Sequence, residues 1–243
     1  NESYIAGLDP ATGEVKWKTT RPSDAKMESL EAFSTPMPYT HDGHTEILVV
    51  GGDDITGHDP DTGKEIWRWG TWNPNRITHW RLVPSPIAGG GVALACAPKK
   101  DPIYAVKLGG NGTLTDDALT WVSKDQRSLS SDVPTPAYAY EDFFILSDVR
   151  GVLSRVEPKT GKIKWSLELP GRSKFESSPL VADGKVYIMN FAADVVVVDA
   201  QTGAIKANIP MGDRGDNMTR SMITAAHGNL FIRTNSKLYC VGN

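Results

Sequence analysis

Apolar residues come along this chain in short bursts: "TEILVVGG", "GVALACA", "DFFILSD", "GKVYIMN" and "GNLFIRT". A second burst follows each at once, as "DITGHD", "PIYAVK", "GVLSRVE", "DVVVVDA" and "SKLYCVG". Gly, Asp and Asn punctuate them, and no apolar pattern of helical period persists, which predicts short strands joined by tight turns. The bursts recur in step with two landmarks. A Ser/Thr-Pro pair precedes each at Pro36, Pro86, Pro136 and Pro179, with Ile223 in the fifth place. A tryptophan closes the unit at Trp17, Trp67, Trp121 and Trp165, with Ala207 in the last place, so the steps are 50, 54, 44 and 42 residues. A period of about 40–50 residues belongs to propeller blades or helical repeats. The strand-like filling selects the blade, four antiparallel strands each.

The tryptophan is preceded by a turn that is nearly rewritten each time: "LDPATGEVKW", "HDPDTGKEIW", "VEPKTGKIKW" and "VDAQTGAIKA". An acid ends the third strand, its carboxylate and the Thr hydroxyl can bond the turn amides, and Gly supplies a positive φ at no steric cost. The indole then falls on the fourth strand, where a flat ring can wedge against the next blade. Asp9, Gly13 and Trp17, Asp59, Gly63 and Trp67, Gly161 and Trp165, and Asp199 and Gly203 are accordingly read as fastening residues, as is Trp121 in a degenerate copy with an insertion, "VKLGGNGTLTDDALTW". Evenly spaced acids of this kind read as turn acids rather than as a metal site.

This pattern resembles the tryptophan-docking motif of the pyrroloquinoline-quinone (PQQ) repeat β-propellers, in an uncharacterised exported bacterial branch. The superfamily takes in quinoprotein alcohol dehydrogenases and the propeller lipoprotein of the outer-membrane barrel-assembly machine. The likeness runs the whole length; it departs at Gly7 and Gly57, which stand where the motif has Ala, at Lys107 in place of an acid, and at Ala207. It implies one all-β domain: a partial blade over 1–20, blades over about 33–69, 83–123, 133–168 and 176–209, and a partial blade over 221–243. That is more than five blades and fewer than six, which suggests missing upstream blades from a seven- or eight-bladed parent, or a ring that is open, tightened or completed by another copy. The resemblance also implies a periplasmic or extracellular location.

Composition narrows the partners. Lys plus Arg (26) nearly balance Asp plus Glu (29), leaving −3, so no global field favours nucleic acid. No apolar run reaches the length of a membrane-spanning helix. Cys96 and Cys240 lie in strand-like runs and read as buried free thiols rather than a disulfide. The sequons at Asn1, Asn111 and Asn217 carry little weight. No nucleophile, metal-protease or phosphate-loop motif occurs, and five scattered histidines do not form a ligand set by spacing, His41 and His44 in one hairpin included. No catalytic residue and no metal ligand is assigned.

Chemistry is then expected in the loops from fourth strand to next first strand and from second to third, which share one face. In "GTWNPNRITHWR", Trp72, His79, Trp80 and Arg81 suit stacking on a sugar, a quinone or a peptide side chain. The alternative is that Trp80 plugs the gap between blades while His79 and Arg81 bond neighbouring loops. Asp148, Arg150, Arg172, Arg220 and Arg233 complete the candidate set. "PMGDRGDNMTR" reads as a solvated acidic turn rather than a Ca²⁺ loop, and "APKKDP" as a solvated bend rather than an anion cradle. The leading expectation is a non-catalytic scaffold for a protein or glycan partner. Behind it stand a PQQ- and Ca²⁺-dependent dehydrogenase of alcohols or sugars, and a lectin using Trp72 and Trp80.

Overall fold

The computed structural model describes residues 3–242, so the Asn1 sequon lies outside the described residues. Blade one contributes β1 (Tyr4–Leu8) and β2 (Val15–Thr20). Blade two is β3 (Met37–His41), β4 (His44–Gly51), β5 (Asp54–His58) and β6 (Glu65–Gly70). Blade three is β7 (Ile87–Gly89), β8 (Val92–Cys96), β9 (Ile103–Lys107) and, after a short strand β10 (Gly112–Leu114), β11 (Leu119–Val122). Blade four is β12 (Ala137–Ala139), β13 (Asp142–Ser147), β14 (Val152–Val156) and β15 (Ile163–Glu168), and blade five is β16 (Leu180–Ala182), β17 (Lys185–Met189), β18 (Asp194–Asp199) and β19 (Ile205–Pro210). Blade six is β20 (Thr224–Ala226), β21 (Asn229–Arg233) and β22 (Leu238–Val241). The protein is an all-β propeller whose six sheets, among the described residues, do not close a ring.

One expectation needs correction. The insertion of the third repeat does not stay in its own blade: β10 leaves it and pairs in parallel with β6, Thr113 opposite Arg68, so blade two becomes a five-stranded sheet. The described strands number 22, β10 being a fifth strand within the third repeat.

Because strand side chains alternate between faces, each inner blade buries both of them. In β8, Val92, Leu94 and Cys96 pack toward Phe143 and Ile145 of blade four, while Ala93 and Ala95 pack toward Leu48, Val50 and Trp69 of blade two. The core is therefore a series of layers between blades, continued by Phe144 with Ile188 and by Val195 with Ile232. This is why "VALAC" reads as an unbroken apolar run.

Two latches join the blades. At the inner end, the residue before each landmark Pro donates its N–H to a hydroxyl in the next blade: Thr35 to Ser85 (2.9 Å), Ser85 to Thr135 (3.0 Å) and Thr135 to Ser178 (3.0 Å). At the outer end, Trp17, Trp121 and Trp165 donate Nε1–H to the next blade's turn, at Pro60 O (3.1 Å), Pro158 O (2.6 Å) and Ala200 O (3.1 Å). The turn glycine is the seat for the ring. A Cβ on Gly161 would stand 2.6 Å from Trp121 and one on Gly203 2.8 Å from Trp165, both at positive φ. Asp9, Asp59, Glu157 and Asp199 each accept two turn amides, and Thr62, Thr160 and Thr202 add a hydroxyl.

Trp67 departs from this scheme. It faces a turn that lacks the Thr-Gly pair, lies fully buried, and donates instead to Glu46 Oε2 of its own blade (2.6 Å). The thiols are free, as expected, but only Cys96 is buried, which pushes it up to about 12. Cys240 is exposed, because β22 forms the edge of its sheet.

Candidate functional site

All connections from a fourth to a first strand, together with the turns from second to third strand, lie on one face. Its first half is built by two loops, 21–36 and 71–86, that are knitted together. Ser29 N–H donates to Thr78 O and its hydroxyl to Ile77 O, while Trp80 N–H donates to Ser29 Oγ (2.9 Å). Ala32 and Leu82 form a parallel bridge, and Arg81 spans Glu28 (3.1 Å) and Glu31 (2.7 Å). Underneath, Asn73 Nδ2 donates to both oxygens of Asp53 and Arg76 reaches the same carboxylate at 3.1 Å. Burial raises the Asp53 carboxyl despite these donors.

On this pinned platform Met27, Leu30 and Phe33 are 72%, 54% and 63% exposed. The sequence reading missed them because isolated apolar residues in a loop form no pattern. His79 is exposed nearby and Trp80 is half-buried against the blade two–three core. Trp72 requires correction as a ligand contact: it is 2% exposed and packed against Trp69 at 6.4 Å between centroids, so it offers no stacking surface.

The second half of the face spans blades three to five. Asp148, Arg150 and Arg172 converge there on a groove of about 280 Å³ with Lys174. Arg150 also borders a neighbouring groove of about 240 Å³ with Lys100, Lys124 and Arg127. Asp148 accepts the Asp132 N–H at 3.0 Å, and burial raises its carboxyl. Arg220 stands apart, paired with Glu176 (2.8 Å) and over the Phe191 ring, and Arg233 ends β21 exposed on blade six. In the acidic loop of 211–223, Asp213 and Asp216 are held by backbone N–H groups, Ser236 and Lys237. His41 stands opposite His44 in the β3–β4 hairpin and bonds Glu46 at 3.0 Å.

With the repeat, the fastening turns and the loop face established, comparison with known proteins is informative. The model of the family described as outer membrane protein assembly factor BamB matches residues 1–242. The chain belongs to the BamB family. Among curated proteins, none matches the sequence. In structure the chain is similar to BamB from Moraxella catarrhalis, with TM-score 0.61 and 12% identity over 94% of this chain and 60% of that one. It is also similar to the quinohemoprotein alcohol dehydrogenase from Comamonas testosteroni, with TM-score 0.68 and 13% identity over 95% of this chain and 48% of that one. Sqt1 from Saccharomyces cerevisiae gives TM-score 0.67 at 12% identity over 99% of this chain and 66% of that one. At such identities the likeness concerns the fold, and the chain spans only 48–66% of these structures.

Fold kinship raises the PQQ and Ca²⁺ centre of quinoprotein dehydrogenases. Among the described residues no three His, Cys, Asp or Glu side chains form a group that could hold a metal ion, and the two cysteines lie apart as free thiols on blades three and six. Among the described residues no helix is long and apolar enough to cross a membrane.

Proposed function

We propose that the protein is a non-catalytic scaffold of the bacterial envelope, working in the periplasm or outside the cell, that holds a protein partner against its loop face. One observation carries this reading: Met27, Leu30 and Phe33 are presented to solvent by a loop that Ser29, Arg81 and the Ala32–Leu82 bridge hold in place. Grouped exposed apolar side chains on a pinned backbone are costly in water and inexpensive to bury against a second surface, because little conformational entropy remains to be lost. Membership of a family described by outer membrane protein assembly supports a protein partner. A glycan reading has less support, since Trp72 is withdrawn into the core.

The test is site-specific photo-cross-linking from Phe33 and, as a control, from exposed Lys162 on the opposite face, in intact cells of the source bacterium. The expected result is one defined protein adduct from Phe33 that is lost in a Met27→Asp, Leu30→Asp variant of unchanged melting temperature. Absence of any Phe33-specific protein adduct would sink the proposal.

A further inference from the structure

Deepening the scaffold reading, on which this rests, we infer that the two grooves over blades three to five bind an acidic, aliphatic-containing segment of a partner protein. Six cations line them: Lys100, Lys124 and Arg127 in one, Arg172 and Lys174 in the other, and Arg150 shared by both. All six are exposed. None forms an ion pair among the described residues, whereas Arg68, Arg76, Arg81, Arg155 and Lys164 elsewhere each hold a carboxylate. The grooves' own acids number three, Asp101, Asp148 and Glu168, so the lining carries an excess of three positive charges on a chain of net −3. Charge gathered in adjoining clefts attracts counter-charge more effectively than the same charge scattered over a surface.

The layout selects the class of ligand. The cations come from four connections of three successive blades, namely 97–102, 123–136, 148–151 and 169–179, and they occupy two clefts rather than one. A lone phosphate or carboxylate fills one cleft and leaves the other; an extended chain with repeated acids fills both. At the tip of the turn between β13 and β14, where the grooves meet, Val149 is 41% exposed beside Arg150, and half-buried Leu169 lines the second groove. These aliphatic surfaces suit aliphatic side chains placed among the acids. The aromatic in the lining, Phe175, is 3% exposed, so no ring is offered for stacking a sugar or a nucleobase. A peptide is favoured over an acidic glycan or a nucleic acid on that ground.

The experiment measures fluorescence anisotropy of a labelled short peptide alternating Glu and Leu, binding to the full chain at low and high salt. A Lys/Leu peptide, a heparin oligosaccharide and inorganic polyphosphate serve as comparison probes. The expected result is binding of the Glu/Leu peptide alone, weakened by salt and weakened about tenfold or more by Arg150→Glu. Val149→Ser weakens it less, and Lys162→Glu, on the opposite face, leaves it unchanged. No binding of the Glu/Leu peptide, or binding indifferent to Arg150→Glu at unchanged melting temperature, overturns the inference. Heparin or polyphosphate binding as tightly as the peptide overturns the choice of a peptide. A Phe33 adduct without peptide binding removes the grooves while the scaffold reading stands; peptide binding without the adduct removes the apolar platform and leaves the grooves.

Discussion

The junction between blades four and five and the junction between blades two and three solve one problem in two ways. In the first, Trp165 lies on Gly203 and donates to Ala200 O at 3.1 Å, its seat prepared by Asp199 and Thr202. In the second, the turn after β9 has Lys107 and no Thr-Gly pair, so no seat exists. Trp67, lying over Gly57 as Trp17 lies over Gly7, donates instead to Glu46 of its own blade (2.6 Å). The joining passes to other groups: β10 extends the sheet of blade two, and Trp69 Nε1–H reaches Asp116 Oδ1 at 3.2 Å. What the motif supplies is thus a carbonyl acceptor and a side-chain-free surface. An indole lacking either finds a buried carboxylate, and a strand exchanged between blades restores the connection.

This contrast can be broken most forcefully at the seat. Gly161→Ala must place a Cβ 2.6 Å from Trp121 at a φ of +69°, and is expected to cost about 2–5 kcal/mol in urea unfolding. Gly13→Ala, at a φ of +75° with nothing within 4 Å, should cost about 1–2 kcal/mol. Equal costs would show that conformation alone, and not the seat, explains the glycines. Next in size is the alternative partner. Glu46→Ala strands a buried indole N–H and is expected to lose about 2–3 kcal/mol, whereas Trp165→Phe, which removes one part-buried hydrogen bond and one of the two fused rings, should lose about 1–2 kcal/mol. A Glu46→Ala variant as stable as the wild type would mean that Trp67 needs no acceptor.

The smallest effect lies in pH dependence, and it has opposite signs in a regular turn and above blade two. Hydrogen bonds from the Thr202 amide and hydroxyl, helped by Lys206, hold Asp199 at about 2 against an ordinary 3.8, so its contribution is present above 3.8 and is lost as pH falls toward 2. Asp54, at the start of β5, is raised to about 6 by burial, against the pull of Arg21 and Arg68. There the folded chain keeps a proton that the unfolded chain has released above 3.8, so the contribution is full below that value and lost as pH rises through about 6. Asp199→Asn should flatten the acid limb of a melting-temperature profile and Asp54→Asn the decline between pH 4 and 6. Unchanged profiles would remove both assignments.

The fastening turns were legible because every participant lies within a dozen residues: the acid, the Thr, the Gly and the indole have their spacing set by local chain geometry. The same is true of the landmark Ser/Thr-Pro pairs, although their hydroxyls proved to bond the preceding blade. Trp72 misled, since a tryptophan flanked by polar loop residues gives no sign that it points inward. The sequence reading took Lys100 for a solvated bend and assigned no role to Lys124 or Arg127, because a cation in a loop cannot be distinguished from its neighbours until the loops beside it are known.

By itself the sequence determined the blade, its period and its fastening, since a strand, a turn and a wedge are short-range objects governed by alternation, φ and spacing. Tertiary structure alone decided that β10 crosses to the previous blade, that Trp67 turns to Glu46, and that the cations of three blades line adjoining grooves. Each of these depends on which blade is next to which and how closely they pack, and that adjacency comes from the burial of whole sheet faces between blades rather than from any local run of residues.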